Sequence, residues 1–456
     1  MSRHYVRLQP DWLLRGWLDM PTAAVNHKNG KVKKLDKRQF YVLQSCDGKT
    51  NFNSFAFLPI HLEILKQFIH DGIVHECIEN EELESCQHYR YSNTPFIKTV
   101  QWCVTGHCNL NCLHCFMESP SGKYGELSFD AMAKLIEQFE EANVVSVVLT
   151  GGEPFLRRDI MDLISLLRKK RIHIEHILTN GLLVTDKHLS KLKELGISPS
   201  FQISFDGVGS HDYMRGTNGI EQNVIKSIER IQKAGFHVVV STSIDKKSVD
   251  SLGATYELMK QIGARSWRIS IPQETGNWKD TKTALSLDDL SQKLHEIWMR
   301  WDNDERPFAI QLGGFFSSGA KNNNKDKISI KKAKFTPDSV DCQTCKEQSY
   351  LLPDGILLPC AGYVDTILEK TMPSLLEKRL INVWRDSNLH DIANLTKQDI
   401  LNKNQECAQC DLFGECGSGC RASALVETGD IMGKDPITCA IWKNGHRHQF
   451  EYSKNK

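Results

Sequence analysis

The residues best placed to do chemistry are Cys108-Asn109-Leu110-Asn111-Cys112-Leu113-His114-Cys115. Three thiols stand at Cys-x3-Cys-x2-Cys spacing, directly after the apolar, strand-like run from Ile97 to Val104. Cysteines this close within one loop bring their sulfurs to neighbouring corners of a [4Fe–4S] cluster. Three ligands leave one iron without a protein partner, open to another molecule. The competing reading is a structural zinc site. Zinc takes four closed ligands, so His107 or His114 would have to serve as the fourth.

Cysteines return late in the chain. Cys342, Cys345 and Cys360 come first, then Cys407-x2-Cys410-x5-Cys416-x3-Cys420-x18-Cys439. Of the 15 cysteines, only Cys46, Cys77, Cys86 and Cys103 fall outside these patterns, and they read as ordinary thiols. The N-terminus, Met1-Ser2-Arg3-His4, lacks the apolar core of an export signal. The expected compartment is therefore the reducing cytoplasm, where patterned cysteines bind metal rather than pair as disulfides. In 456 residues, 57 Lys and Arg balance 56 Asp and Glu, so no bulk charge draws the chain to nucleic acid or membrane. No run approaches the ~18 apolar residues of a membrane span.

The elements that must position these thiols follow from periodicity. Extended runs centre on 98–104, 145–149, 173–178, 200–204, 238–243 and 266–271, with helical runs between them. Ser128 caps a helix whose Met132, Leu135, Ile136 and Phe139 recur on one face, and Val224, Ile228 and Ile231 repeat the pattern later. Such βα units build a parallel sheet that binds ligands at the carboxyl ends of its strands. Thr150-Gly151-Gly152-Glu153-Pro154 ends the second strand, with two glycines for close backbone approach and a carboxylate for a cation. Thr179-Asn180-Gly181 ends the third, and Ser204-Phe205-Asp206-Gly207 the fourth, with Arg215 beyond it. Trp267-Arg268-Ile269-Ser270-Ile271-Pro272 ends the sixth. Asp206 also suits a turn cap at Gly207, Trp267 suits the core, and His211 reads as a surface residue.

The cysteine triad, followed by Gly-Gly-Glu-Pro at the next strand end, resembles the radical S-adenosylmethionine (SAM) superfamily. The resemblance implies a partial (β/α)6 barrel over residues 96–312. It also implies that the open iron chelates SAM, whose reductive cleavage yields a 5′-deoxyadenosyl radical. Carried over residue by residue, it assigns SAM contacts to Gly151, Gly152, Glu153, Pro154, Ser204 and Arg215. The late cysteines, with Gly355 between Cys342 and Cys360, resemble the SPASM domain, expected over 342–456. That resemblance implies two auxiliary [4Fe–4S] clusters, one on Cys342, Cys345, Cys360 and Cys420, the other on Cys407, Cys410, Cys416 and Cys439. Cys345 matches a position that is a ligand in some members and a small residue in others. A pair of zinc knuckles is the alternative for this tail. Residues 313–341, rich in Lys and Asn, read as a solvated linker.

The first ninety-five residues read as a separate module. A short extended run, Thr22–Asn26, meets the Asn29-Gly30 turn signal and returns over Val32–Leu35. Asp36 caps a helix reaching Cys46, a second helix runs from Pro59 to His70, and 78–94 looks like a linker. This outline resembles the winged-helix-like leader-recognition domains of enzymes that modify ribosomal peptides, which add a leader as a strand to an open sheet edge. A packing extension and a DNA-binding wing are the alternatives, the latter lacking a basic stripe.

Together these resemblances imply an α/β radical SAM enzyme with three [4Fe–4S] clusters that oxidatively modifies a precursor peptide, most simply by thioether crosslinks. Its partners would be that peptide, leader and core, and a reductant such as flavodoxin or ferredoxin. Alternatives are a carbon–carbon peptide cyclase, an anaerobic sulfatase-maturating enzyme, or a non-enzymatic iron–sulfur or zinc scaffold. In the sulfatase-maturating relatives an Asp base follows the third ligand of the first auxiliary cluster; here Ala361 follows Cys360. No catalytic acid or base stands out.

Overall fold

The computed structural model describes residues 4–54, 56–119, 121–279, 281–318, 336–342, 346–385 and 387–450. Cys345 and residues 319–335 of the expected linker lie outside the described residues.

The N-terminal segment threads β1 (Tyr5–Leu8), β2 (Trp12–Gly16), β3 (Ala23–Asn26), β4 (Val32–Lys34), α1 (Lys37–Gln44), β5 (Asp47–Asn51), α2 (Pro59–His70), β6 (Val74–Cys77) and β7 (Arg90–Tyr91). It is richer in strand than a hairpin with two helices. One sheet runs β5-β1-β6 and another β4-β3-β2-β7. Between them and the helices lies a core of its own, built on Val6, Leu8, Trp12, Leu14, Val42, Leu43, Leu65 and Phe68. Asp36 starts α1 as a capping box. Its carboxylate accepts from the Arg38 and Gln39 amides at 2.8 and 2.9 Å, and the Gln39 side chain accepts from the Asp36 amide at 3.1 Å.

Residues 78–94 are not a free linker. Gln87 is fully buried, and its amide donates to the Leu8, Gln9 and Trp12 carbonyls. The segment's richness in Glu, Asn and Ser reads as a linker, but one amide side chain here satisfies strand ends that no sequence pattern announces. The segment also docks on the barrel. Trp17 donates its indole N–H to the Ala142 carbonyl at 3.1 Å, and Trp17, Val25, Phe96 and Val145 share one apolar cluster.

The six expected central strands all form: β8 (Thr99–Cys103), β9 (Ser146–Thr150), β10 (His173–Thr179), β11 (Ser200–Ser204), β12 (Val238–Ser243) and β13 (Ser266–Ser270). β14 (Ala309–Leu312) adds a seventh parallel strand beyond β13. Helices α3 (Phe129–Glu141), α4 (Ile160–Lys169), α5 (Asp186–Glu194), α7 (Glu221–Lys233), α8 (Leu252–Gln261) and α9 (Leu287–Asn303) cover the crossovers, with the short α6 (His211–Arg215) after β11. Met132, Leu135, Ile136 and Phe139 of α3, and Val224, Ile228 and Ile231 of α7, are buried as their spacing requires. The fold is α/β on a parallel sheet, and the sheet stays open. β15 (Phe316–Ser318) ends one side antiparallel to β14. On the other side β16 (Gln348–Leu351), from the cysteine-rich tail, joins β8 in parallel and pairs with β17 (Leu357–Leu358). The tail therefore enters the central sheet beside the strand that delivers the cysteine triad. Among the described residues, no helix is long and apolar enough to cross a membrane.

Candidate active site

The triad loop leaves β8 and is tied back on itself, Ser119 Oγ donating to the Gly106 carbonyl at 2.9 Å. It also leans on the end of β9, where Gly152 N donates to the Thr105 carbonyl and Glu153 N to the His107 carbonyl, at 2.8 and 2.9 Å. Gly151 takes φ +148°, and a Cβ on Gly152 would stand 2.2 Å from the His107 carbonyl oxygen. The two glycines are thus required first by the cluster loop pressing on the strand end.

Each triad sulfur receives an N–H donor. Leu110 N donates to Cys108 Sγ at 3.4 Å, Ser119 N to Cys115 Sγ at 3.3 Å, and Arg215 Nη1 to Cys112 Sγ at 3.5 Å. This donor set suits sulfurs carrying negative charge, as cluster thiolates do. Without iron the site resists that charge, burial pushing Cys108 up to about 12. All three cysteines face a cavity of about 550 Å³ at the carboxyl ends of the strands, together with Gly151, Gly152, Asn180, Ser204 and Arg215. Its inner wall is polar, including Gln202, Ser241, Ser243, Arg268 and Ser270. Trp267 points the other way into the core, its indole N–H on Thr242 Oγ1 at 2.8 Å.

Glu153 and Pro154 sit behind this wall. The Glu153 carboxylate is fully buried. It accepts from Phe155 N (3.0 Å), Asn180 N (2.8 Å) and Thr179 Oγ1 (2.8 and 2.9 Å), lashing the end of β9 to the end of β10. Burial raises its pKa against the pull of these donors.

Under Cys112 lies a charged cluster that sequence reasoning only half found. Arg215 Nε meets Asp206 Oδ2 at 2.6 Å, with both side chains buried. Burial pushes the Asp206 carboxyl up, but the Arg215 guanidinium against it outweighs burial and the carboxyl is held below its usual value. His211 is not a surface residue. It is fully buried, stacked on Phe205, and its Nδ1 accepts from the Asp206 amide at 3.0 Å. Burial depresses both His114 and His211 to about 4, so both are neutral. Asp206, His211 and Arg215 lie within ten residues around one strand-to-helix turn, but nothing in that spacing places them under Cys112.

The far wall of the cavity comes from the tail, through Cys360, Ala361, Gly362, Cys420 and Ala422. A separate small pocket is lined by Cys407, Cys410, Cys416 and Cys439 together. Asp435 couples the two places. It caps the helix Pro436–Lys443 that carries Cys439, and it accepts from Cys420 N and Ser423 Oγ, both at 2.9 Å. Cys342 follows Asp341, whose buried carboxylate lies 3.2 Å from Lys397 Nζ and 3.5 Å from Arg421 Nε. The fourth expected member of that set, Cys345, is outside the described residues. Among the described residues, no three His, Cys, Asp or Glu groups close to the spacing of a single metal ion; the corners of a cubane stand farther apart.

Residues 102–259 match the family model described as the radical SAM superfamily. A heme synthase of Nitratidesulfovibrio vulgaris that depends on S-adenosylmethionine is 27% identical over 75% of this chain and 92% of its own length. An Fe-coproporphyrin III synthase of Methanosarcina barkeri is 30% identical over 75% of this chain and 88% of its own. In fold, SuiB of Streptococcus suis, solved bound to its precursor peptide SuiA, superposes with a TM-score of 0.66 at 17% identity. That superposition covers 95% of this chain and 99% of SuiB.

Proposed function

This chain belongs to the radical SAM superfamily, whose members carry a [4Fe–4S] cluster and SAM, and from that premise we propose that it is a maturase of a ribosomally made precursor peptide. On this reading Cys108, Cys112 and Cys115 hold the SAM-cleaving cluster, and Gly151, Gly152, Ser204 and Arg215 face the SAM. The tail cysteines hold two auxiliary clusters, for three in all. When bound, cluster and SAM supply a carbon radical able to take hydrogen from an unactivated C–H bond. The chain's own residues orient and shield. Glu153 holds two strand ends in register, the polar inner wall admits a peptide backbone, and the Cys360–Cys420 wall closes the far side. The net outcome is oxidation of the peptide, with thioether crosslinks as the specific product proposed.

The observation that carries this reading is the free edge of β4. In the β3–β4 ladder, Asn26 N donates to the Lys31 carbonyl and Leu35 N to the Thr22 carbonyl, with Ala24 opposite Lys33. Residues 31, 33 and 35 therefore bond inward, and the amides and carbonyls of Val32 and Lys34 turn outward. Among the described residues, β4 is the last strand of its sheet. An unpaired edge is what strand addition of an unstructured leader needs. The likeness in fold to SuiB extends over this module, spanning 95% of the chain against 75% for the porphyrin-related relatives.

Proline is tolerated at an edge position whose N–H faces out, so Lys34→Pro deletes one leader bond while sparing the ladder. It is expected to weaken a fluorescent leader peptide at least tenfold, from an affinity on the order of micromolar, and to slow the loss of two hydrogens per crosslink seen by mass. Unchanged leader binding would refute the edge as the docking site. The second reading, chemistry on a porphyrin, is favoured by the identity to the two synthases. It is tested by turnover on iron coproporphyrin, which the peptide reading expects to be absent.

A further inference from the structure

Arg215 is held between two opposite charges. One nitrogen meets the Asp206 carboxylate at 2.6 Å and another donates to Cys112 Sγ at 3.5 Å. Asp206 is fully buried and is not capping its own turn. Its Oδ1 accepts from Ser243 N at 2.9 Å, its Oδ2 faces Arg215, and Val208 N, the donor a cap would use, goes to Thr255 Oγ1 at 3.1 Å. A buried carboxylate thus has one charged partner, and that partner's free end touches a sulfur of the triad. His211, neutral, fixes the turn from behind.

We infer that Asp206 and Arg215 are a pair of positioning residues that set the reduction potential of the cluster held through Cys112. The inference rests on the reading of Cys112 as a cluster ligand. A guanidinium against a ligand sulfur favours the extra negative charge of the reduced cluster, and hydrogen bonds to sulfur are a recognised lever on potential. A carboxylate on the same guanidinium attenuates that pull. Little solvent intervenes at these buried groups, so both effects reach the cluster weakly screened. The two charges therefore act with opposite sign, and the protein can hold the potential between the extremes either alone would impose.

The test is a redox titration of the anaerobically reconstituted protein without SAM, followed by electron paramagnetic resonance. A Cys108/Cys112/Cys115→Ala variant first identifies the signal of this cluster by its loss; survival of every signal would overturn the cluster assignment itself. At fixed potential, Arg215→Met should lower the ratio of reduced to oxidised cluster about tenfold, which for one electron is about 59 mV. Asp206→Asn should raise it comparably. The double variant, having lost one charge of each sign, should return to within about threefold of wild type, and Arg215→Lys should stay close to wild type. A merely structural pair would give shifts of the same sign in both single variants, or none, and either result overturns the inference. The auxiliary cluster signals should not move in any of these variants. If Arg215→Met fails to retain the cluster, the upward shift in Asp206→Asn decides the matter alone.

Discussion

Glu153 shows how a single buried carboxylate can tie two strand ends together. It accepts hydrogen bonds from two amides and a hydroxyl across the gap between β9 and β10. Removing it strands buried donors, each worth roughly 1–3 kcal/mol. Glu153→Ala is therefore expected to lower SAM affinity tenfold or more by loosening the Gly151–Gly152 wall. Glu153→Gln keeps one acceptor oxygen but turns its NH2 against the amide of either Phe155 or Asn180, so its loss should be intermediate, about threefold. Equilibrium binding of SAM to the reconstituted protein measures both. Equal losses in the two variants would mean that the carboxylate charge itself meets SAM. The Gly-Gly-Glu-Pro motif was legible in the chain, but which of its atoms face the cavity was not, because that depends on how closely the cluster loop packs against the strand end.

Among the elements, the β3–β4 hairpin is held by a half-buried polar cluster and the cysteine-rich tail by a buried one. His27, at the hairpin turn, lies 3.0 Å from Arg168 Nη1 and 3.4 Å from Arg171 Nη1. Burial first, then these two cations, lowers its pKa from 6.5 to about 4. A folded-state value below the unfolded one means the unfolded chain binds the extra proton first. His27 thus costs stability as pH falls from about 6.5 to about 4, by at most about 1.4 kcal/mol per pH unit. The thermal midpoint of wild type should drop more steeply than that of His27→Asn across this window, and parallel curves would refute the role. In the tail, Asp341 faces Lys397 and Arg421, all nearly inaccessible. Asp341→Ala removes the carboxylate that faces two buried cations and should cost roughly 3–5 kcal/mol. A thermal shift of the tail, with loss of tail-bound iron, is the expected outcome; an unaltered melt and iron content would contradict it.

For the molecule as a whole, the arrangement of cysteines predicts iron in separable portions. Three clusters of four irons amount to about twelve per chain. Substituting Cys407 and Cys410 by Ala should remove about a third of the iron and leave SAM cleavage measurable, since those residues line a pocket separate from the main cavity. Substituting the triad should remove a different third and abolish cleavage. Stoichiometric zinc in the tail would support the alternative of structural knuckles. The sheet also ties tail to barrel. β16 pairs with β8, and Tyr350 Oη stands 2.7 Å from Cys103 Sγ, so tail and barrel are expected to unfold together.

The sequence by itself determined the local facts. The triad spacing, the six strand cores, the helix faces of α3 and α7 and the capping box at Asp36 are all encoded within a few residues of one another. Hydrophobic period and short-range hydrogen bonding act at that range. Four features came only from the tertiary structure: the burial of His211, the Asp206–Arg215–Cys112 contact, the convergence of Cys360 and Cys420 on the triad's cavity, and the tail strand beside β8. The last three depend on residues tens to hundreds of positions apart meeting across a packed core, and His211 is buried because its whole turn packs against that core. Spacing along the chain carries no record of that, because what brings such residues together is the shared burial of many apolar faces.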